Sequence, residues 1–326
     1  MTNLDNEWEN FLTDGVYNTD DKDKLLSSEI NNCSDLNIST KTKITYLDDP
    51  IDLSLFWALP IISYISKQNG IIKKQMKFTC NTREEYEKLQ QNQKDIKCLY
   101  VNVIKNIDDP TGHTKFKYVC KINVGISKKD ILCYKTKSKH AFYNCMVLIL
   151  RIFYENVYKE VNVKIFNTGR LSFPGMLHDK LLIKVLNILT DIFKSVNCNI
   201  SYKENTIETV MINSNFNCGF YINRDVLYNI LQFKYELNVG YDPCAYPGIQ
   251  CKYTQKNYSL SFMIFRTGSV LIVGKCNEEQ LYESYEYIKN ILLEERSKIY
   301  SKSQIIDKKK TKKKKCKKKT ILISAK

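Results

Sequence analysis

Long apolar runs are missing from this 326-residue sequence. The longest, residues 53–65, includes a proline and two serines, and at about 13 residues it is too short to span a bilayer. We interpret it as a buried helix or strand. The first residues are acidic and polar, so no signal peptide is predicted. These absences predict an intracellular protein with no membrane partner.

Closely spaced metal ligands are also missing. The 12 cysteines include no C-x-x-C pair, and the three histidines, His113, His140 and His178, lie far apart. Zinc sites depend on such spacing, so none is predicted. Without a secretory signal the cysteines are expected to be reduced thiols. No catalytic triad, phosphate-binding loop or ligand cluster is evident, and we predict neither a cofactor nor an enzyme.

Charge is abundant but unevenly distributed. The formal net charge is +15, yet residues 1–50 hold 11 acidic and 4 basic side chains, a net of −7. Residues 308–326 hold 11 lysines and no acid, and residues 51–307 carry a net of +11. A basic body favours a polyanionic partner and speeds the encounter with it. The polylysine run serves either nuclear import or nonspecific nucleic-acid binding, and the sequence does not separate the two.

Two segments 99 positions apart have nearly the same pattern. Residues 163–175 read VKIFNTGRLSFPG and residues 262–274 read FMIFRTGSVLIVG. In each, an alternating strand ends in Phe, Thr-Gly forms a tight turn, and a second alternating strand leads to Gly. Glycine supplies the positive φ that such a hairpin needs. A repeat at this spacing predicts a duplicated unit.

The second copy has two different apolar faces. Alternate residues of a strand point to opposite faces, so Leu260, Phe262, Ile264, Val270 and Ile272 share one face. The other face carries Ser261, Met263, Phe265, Thr267, Ser269, Leu271 and Val273. A sheet that is apolar on both faces must be covered twice or must bind something.

The remaining elements follow from period-two and period-3.6 patterns. Strands are predicted at 116–126, 142–154, 158–166, 207–216, 249–255 and 258–265. Helices are predicted at 82–93, 127–134, 179–193, 224–234 and 278–299. Thr82 is the expected cap of the first of these helices, and Asn277 with Gln280 forms an expected capping box for the last. Residues 1 to about 48 are polar and acidic, which predicts disorder.

This order of strands, hairpin and helix, present twice, resembles the TATA-box-binding protein family. YPGI (246–249) resembles the family's F-P-G-L, and MIFRTGSVLIVGK (263–275) resembles its I-F-x-S-G-K-x-x-x-T-G-x-K. VCKINVG (119–125) resembles its V-S-T-V-N-L-G strand. The first half is most similar to TATA-binding-protein-like proteins of nucleocytoplasmic large DNA viruses. The resemblance covers roughly residues 116–298.

The resemblance implies an α+β fold with pseudo-twofold symmetry, a saddle whose curved antiparallel sheet carries helices on its convex face. The domain organisation expected on this basis has five parts. They are an acidic disordered segment (1–50), an N-terminal extension of unknown role (51–115), a first saddle repeat (116–200), a second saddle repeat (201–300) and a polylysine tail (301–326).

By resemblance, the concave face binds the minor groove of AT-rich promoter DNA, and aromatic wedges bend the duplex. Phe166 and Phe265 match the hairpin wedges, and Tyr246 with Phe142, or its neighbour Tyr143, matches the second wedge of each half. The other residues expected to contact DNA are Thr168, Arg170, Ser172, Pro247, Lys252, Thr267, Ser269, Leu271 and Val273.

Several positions depart from the family pattern. Pro174 and Val273 stand where the family has Thr before the closing Gly, and Ser269 stands where it has Lys after the hairpin Gly. The family's minor-groove Asn falls near Lys117 and Val210, with Asn123, Asn213 and Asn215 close by. The set of side chains that reads base edges therefore differs from that of the family.

The resemblance also implies partners. They are a transcription factor IIB-like protein and an RNA polymerase, assembled on DNA by a monomer in the host nucleus or a cytoplasmic viral factory, with packaging in the virion as a further option. An alternative is a protein-interaction scaffold with weak nonspecific DNA binding. A third hypothesis, from charge alone, has residues 1–50 fold back on the basic face as a DNA mimic. A repair enzyme of this fold is the weakest alternative, because no catalytic Asp or Lys stands out.

Overall fold

The computed structural model describes residues 33–94, 96–97, 99–109, 113–132 and 142–301. The chain divides into two compact units. The described part of the first unit is residues 40–212, and that of the second unit is residues 33–39 and 213–301. Most of the acidic segment and nearly all of the polylysine tail lie outside the described residues.

The first unit contains a seven-stranded antiparallel sheet. Its strands follow the order β3-β4-β2-β5-β6-β7-β1. In chain order the elements are β1 (Asn37–Tyr46), β2 (Gly70–Cys80), α1 (Arg83–Gln91), β3 (Leu99–Ile107), β4 (Lys117–Gly125), α2 (Lys128–Leu132), β5 (Cys145–Tyr154), β6 (Val157–Phe166), β7 (Arg170–Pro174) and α3 (Asp179–Ser195). A 3-10 helix at Leu53–Phe56 follows β1.

One face of this sheet is packed against helix α3. The predicted helical stripe of Leu182, Val185, Leu186, Leu189 and Phe193 is buried. It joins one hydrophobic core with the inward side chains of the hairpin strands, Val163, Ile165, Leu171 and Phe173. Phe56 and Leu59, from the apolar run at 53–65, complete this core, so that run is buried in part around a 3-10 helix.

The second unit repeats the framework with fewer strands, in the order β8-β12-β11-β10-β9. Its elements are β8 (Glu208–Asn217), whose first five residues fall in the first unit, α4 (Arg224–Asn229), a π-helix (Ile230–Lys234), β9 (Asn238–Gly240), β10 (Ile249–Thr254), β11 (Ser259–Ile264), β12 (Ser269–Lys275), α5 (Glu278–Glu294) and α6 (Arg296–Ile299). Helix α5 begins with the predicted capping box of Asn277 and Gln280. Its stripe of Leu281, Tyr285, Ile288 and Leu292 is buried as predicted.

The α+β class is confirmed, with antiparallel strands covered on one face by a helix in each unit. Thr82 caps α1 as predicted, through a hydrogen bond of 3.2 Å from the Glu85 amide to its hydroxyl. The predicted helix at 278–299 is interrupted, because α5 ends at Glu294 and a short α6 follows.

The expectation of disorder up to residue 48 is wrong for Asn37–Tyr46, which forms β1. This strand pairs with β7, with Thr42 opposite Pro174 and Tyr46 opposite Arg170. The segment is rich in β-branched residues, which favour a pleated strand over the disorder that its polar composition suggests.

The motif VCKINVG is separated from the hairpin strand β6 by β2 and β5. This motif forms β4, which lies between β2 and β3. The position next to the last hairpin strand belongs to β1 in the first unit and to β8 in the second. Strands β2 and β3 lie within residues 70–107, where the sequence predicted a helix at 82–93 and no strand.

Candidate nucleic-acid interface

The two hairpins have the same turn geometry. Gly169 and Gly268 both adopt φ of +80°, as predicted from their position after Thr. The Gly169 amide donates to the Phe166 carbonyl at 2.9 Å, and the Gly268 amide donates to the Phe265 carbonyl at 3.0 Å. Each turn therefore holds its phenylalanine at the end of a strand in an equivalent position.

Each hairpin phenylalanine contacts the second predicted wedge of its own unit. The ring centroids of Phe142 and Phe166 lie 6.2 Å apart, and those of Tyr246 and Phe265 lie 5.9 Å apart. Phe142 is 62 % exposed, which is unusual for so large an apolar side chain. Both hairpin phenylalanines are half-buried, and each follows a fully buried isoleucine, Ile165 or Ile264. The structure thus brings each predicted pair together.

Close approach of the second-unit pair depends on Gly248. A Cβ at this position would lie 3.1 Å from a ring carbon of both Tyr246 and Phe265. The preceding Pro247 is exposed, and its carbonyl accepts a hydrogen bond from the Arg224 guanidinium. Pro247-Gly248 therefore allows the backbone to approach both rings closely.

The outer face of the second-unit sheet has regular rows of side chains. Directly opposed residues in antiparallel strands share a face. One row is Gln250, Met263 and Leu271, and the next is Lys252, Ser261 and Val273. All of these side chains are half-buried or exposed, whereas Phe262, Ile264, Val270 and Ile272 on the other face are fully buried. The two-faced pattern predicted from the sequence is confirmed.

Strand β8 adds three asparagines to this unit. Asn213, Asn215 and Asn217 alternate with buried Ser214 and Phe216 and are half-buried. The side-chain amide nitrogen of Asn217 lies 3.3 Å from the Ser269 hydroxyl. In the sequence, Asn213 and Asn215 lie close to the position of the family's minor-groove asparagine. The structure adds Asn217 and puts all three at alternate positions of one strand.

The first-unit hairpin is more basic. The Arg170 guanidinium lies 5.9 Å from the Phe166 ring centroid, and the Lys164 ammonium lies 5.9 Å from that of Phe142. Ser172 is directly opposite Lys164. Thr168 and, in the other hairpin, Thr267 are exposed at the turns. Two cationic side chains therefore lie next to the aromatic pair.

Sequence reasoning missed the contribution of β2. The Lys77 ammonium lies 3.5 Å from the ring centroid of Tyr143, which is 61 % exposed. The pKa of the Tyr143 hydroxyl is lowered by its hydrogen bond with Lys77 and by the positive charge of Lys77, Lys117 and Lys105. The alternation of Gln75, Lys77 and Thr79 with apolar side chains was the signal that could have revealed this face.

Within the described residues, no group of three or more His, Cys, Asp or Glu could hold a metal ion. No helix in that part of the chain is long and apolar enough to cross a membrane.

Comparison with known proteins gives one family. Residues 206–294, from just before β8 to the end of α5, match the sequence model of a family described as "Transcription factor TFIID (or TATA-binding protein, TBP)". A curated relative, "TATA-box-binding protein-like" of Acanthamoeba polyphaga mimivirus, is 26 % identical, and the match covers 55 % of each chain. The chain therefore spans about half the length of this relative. The predicted resemblance to TATA-box-binding proteins, including a viral one, is confirmed.

A solved structure, "Methanococcus jannaschii TBP", aligns over 80 % of this chain and 99 % of its own with 15 % identity and a TM-score of 0.43. A similarity of that size carries no argument about function.

Proposed function

We propose that this protein is a non-enzymatic transcription initiation factor that binds the minor groove of AT-rich duplex DNA and bends it with its hairpin aromatics. The observation that carries the proposal is the aromatic pair that occurs once in each unit, Phe142 with Phe166 and Tyr246 with Phe265. Phe166 and Phe265 each follow a fully buried, core-facing isoleucine, so core packing gives no reason for either pair.

The pairs suit a wedge mechanism. Apolar side chains inserted between base steps unstack them, at about a few kcal/mol per step, and the bent duplex then contacts more protein surface. Phe142 is largely exposed and Phe166 is held by a rigid turn, so one ring is accessible and the other is supported. In the second unit Tyr246 and Phe265 are both half-buried, and this pair would supply a second kink.

Sequence preference follows from the side chains around the wedges. The minor groove distinguishes A·T from G·C pairs mainly through the guanine amino group. The second unit offers asparagine amides on β8 and the small hydroxyls of Thr267 and Ser269. Leu271 and Val273 add apolar surface that cannot accept a hydrogen bond from guanine. We therefore propose an AT preference that owes more to deformability than to base-specific hydrogen bonds.

Arg170, Ser172 and Thr168 contact DNA in the first unit under this proposal, and Pro247 and Lys252 do so in the second. Lys252 is exposed on β10 beside Ser261, a position suited to a phosphate. The proposed partners are a transcription factor IIB-like protein and an RNA polymerase. The complex of one protein monomer with bent DNA would recruit them.

The test is a bending assay on the full chain. Energy transfer between dyes at the ends of AT-rich and GC-rich duplexes reports the bend, and titration reports the affinity. We expect the wild-type protein to bend the AT-rich duplex preferentially. The Phe166→Ala/Phe265→Ala double variant should lose most of the bend and bind about ten- to a thousandfold more weakly.

The matched control is Ile183→Ala/Phe233→Ala, which removes one exposed apolar side chain from each unit away from the hairpins. It should bend DNA as the wild type does. Thermal unfolding of each variant excludes loss of folding as the cause. Weak, sequence-independent binding that salt abolishes and the phenylalanine changes leave unaltered would reject the wedge proposal in favour of a protein-interaction scaffold.

A further inference from the structure

The first-unit sheet is wider than that of the second unit. Strand β2 pairs with β5 in the place where the three-residue β9 pairs with β10. Two more strands, β4 and β3, then continue the first-unit sheet and have no counterpart in the second. Because β2 has 11 residues and β9 only three, most of β2 also has no equivalent in the second unit. The three strands β2, β4 and β3 are therefore called the added strands. Strands β2 and β3 lie outside the segment 116–298 that carries the family resemblance, β4 lies within it, and all three lie outside the matched segment 206–294.

The added strands contain six lysines and no acidic residue. Two of the lysines have roles within the fold. Lys74 is buried on the core face, where its ammonium donates to the carbonyls of Phe56 at 2.6 Å and Leu59 at 2.8 Å. Lys73 forms an ion pair of 2.7 Å with Asp130. The other four, Lys77, Lys105, Lys117 and Lys121, share the outer face by strand register.

The register concentrates this charge. Lys77 on β2 stands directly opposite Lys121 on β4, and like charges at opposed positions are unfavourable in an isolated sheet. Lys105 and Lys117 are exposed on the neighbouring strands. The polar side chains among them, Asn102 opposite Lys121 and Asn123 opposite Gln75, are neutral. A bound polyanion would offset the repulsion.

This basic face continues into the proposed wedge. The Lys77 ammonium stacks on Tyr143, the residue after Phe142, and Phe142 contacts Phe166. The positive charge of Lys77, Lys117 and Lys105 lowers the pKa of the Tyr143 hydroxyl. Cations and aromatics therefore form one surface from the hairpin to the added strands. Tyr100, 60 % exposed on β3, lies at its far side.

The geometry points to the outer face of the added strands as a second DNA-contacting surface, which binds backbone phosphates of the duplex beyond the steps reached by the first-unit aromatics. This inference rests on the proposed function and extends it. Strands are spaced about 4.8 Å apart, so β4 and β3 widen the sheet by about 10 Å. That length corresponds to about 3 base pairs of duplex at about 3.4 Å per pair. The contact with DNA is therefore asymmetric and longer on the side of the first unit.

The test compares two triple variants of the full chain with the same loss of charge. Lys77→Gln/Lys105→Gln/Lys117→Gln neutralises the added strands, and Lys180→Gln/Lys184→Gln/Lys194→Gln neutralises exposed positions on α3, which covers the opposite face of the sheet. Hydroxyl-radical footprinting on an AT-rich duplex gives the protected length. Titration at several salt concentrations gives the number of phosphates contacted, and the end-to-end energy transfer gives the bend.

We expect the added-strand variant to lose about 3 base pairs of protection at one end only. The dependence of log K on log salt concentration should become shallower by about 2–3, because each phosphate contact contributes about 0.9 to that slope. The bend should persist, since the aromatic pairs are intact. The α3 variant should keep the wild-type footprint and slope.

A wild-type footprint and slope in the added-strand variant, with bending intact, would overturn this inference and leave the proposed function standing. Absence of any bend in the wild-type protein would instead reject the proposed function itself. Deletion of residues 1–32 provides the last arm. If it strengthens DNA binding by the wild type but not by the added-strand variant, the chain's own acidic segment competes with DNA for this face, which supports the DNA assignment.

Discussion

In the first unit the hairpin aromatics are bordered by Arg170 and Lys164, whereas in the second unit the neighbouring strand carries asparagines. The frameworks beneath them are the same. Strands β5-β6-β7-β1 correspond to β10-β11-β12-β8, and the long helices α3 and α5 each have 17 residues. The inward side chains of the two hairpins are apolar and fully buried in both units, so they preserve the fold. The outward side chains are free to differ, and in this protein they differ in charge.

The largest expected effect comes from breaking the shared framework. Phe173 on β7 and Phe262 on β11 are both fully buried. Replacing either by Ala should lower the free energy of unfolding by about 3–5 kcal/mol, because a large cavity is left in a packed core. Urea denaturation, monitored by circular dichroism, measures this loss of unfolding free energy. The adjacent changes Ser172→Ala and Met263→Ala, on the outer face, should cost much less, and equal costs would contradict the assignment of faces.

A smaller effect is expected at the two hairpin glycines. A Cβ at Gly268 would lie 2.4 Å from the Phe220 carbonyl oxygen, and one at Gly169 would lie 2.8 Å from the Asp49 carbonyl oxygen. Adding the strain of positive φ, we expect Gly268→Ala to cost about 2–3 kcal/mol and Gly169→Ala somewhat less. Gly240, with open space around it and no positive φ, is the matched control. The order of the thermal unfolding midpoints checks this ranking.

The smallest effect should come from the helix caps, where the units differ. Asn277 caps α5 with its side chain, whereas His178 at the start of α3 makes no side-chain cap hydrogen bond. Asn277→Ala should therefore destabilise the protein by about 1 kcal/mol. His178→Asn should stabilise it by up to about the same amount. Identical responses to Ala at both positions would show that the caps do not distinguish the units.

Much of the fold could be predicted because the pattern of the second half is strict. The strands at 249–254 and 259–264 and the helix at 278–294 alternate apolar and polar side chains with the right period, and each has a recognisable start or end. Strand β1 could not be found in the same way. Its ten residues have few large apolar side chains, and its partner β7 lies far along the chain, so no local pattern reveals the pairing.

The candidate site was predictable in part for a similar reason. Phe166 and Phe265 stand in a repeated motif, so the sequence identified them as a pair of equivalents. Their contacts with Phe142 and Tyr246 depend on how the strands pair, and the resemblance supplied those two residues. Of the lysines of the added strands, only Lys121 belongs to a motif, VCKINVG. Their common face appears only when the register sets Lys77 opposite Lys121.

The pairing of β1 with β7 also sets the order in which the first unit can be completed during synthesis. Thr42 precedes its partner Pro174 by 132 residues. At about 5–20 residues per second, β1 leaves the ribosome about 7–25 s before the hairpin exists. During this interval the strand has no neighbour from that hairpin, and exposed strands are prone to pair with other chains. Lys41 and Lys43 place two positive charges within it, which discourages such pairing until the rest of the unit has been made.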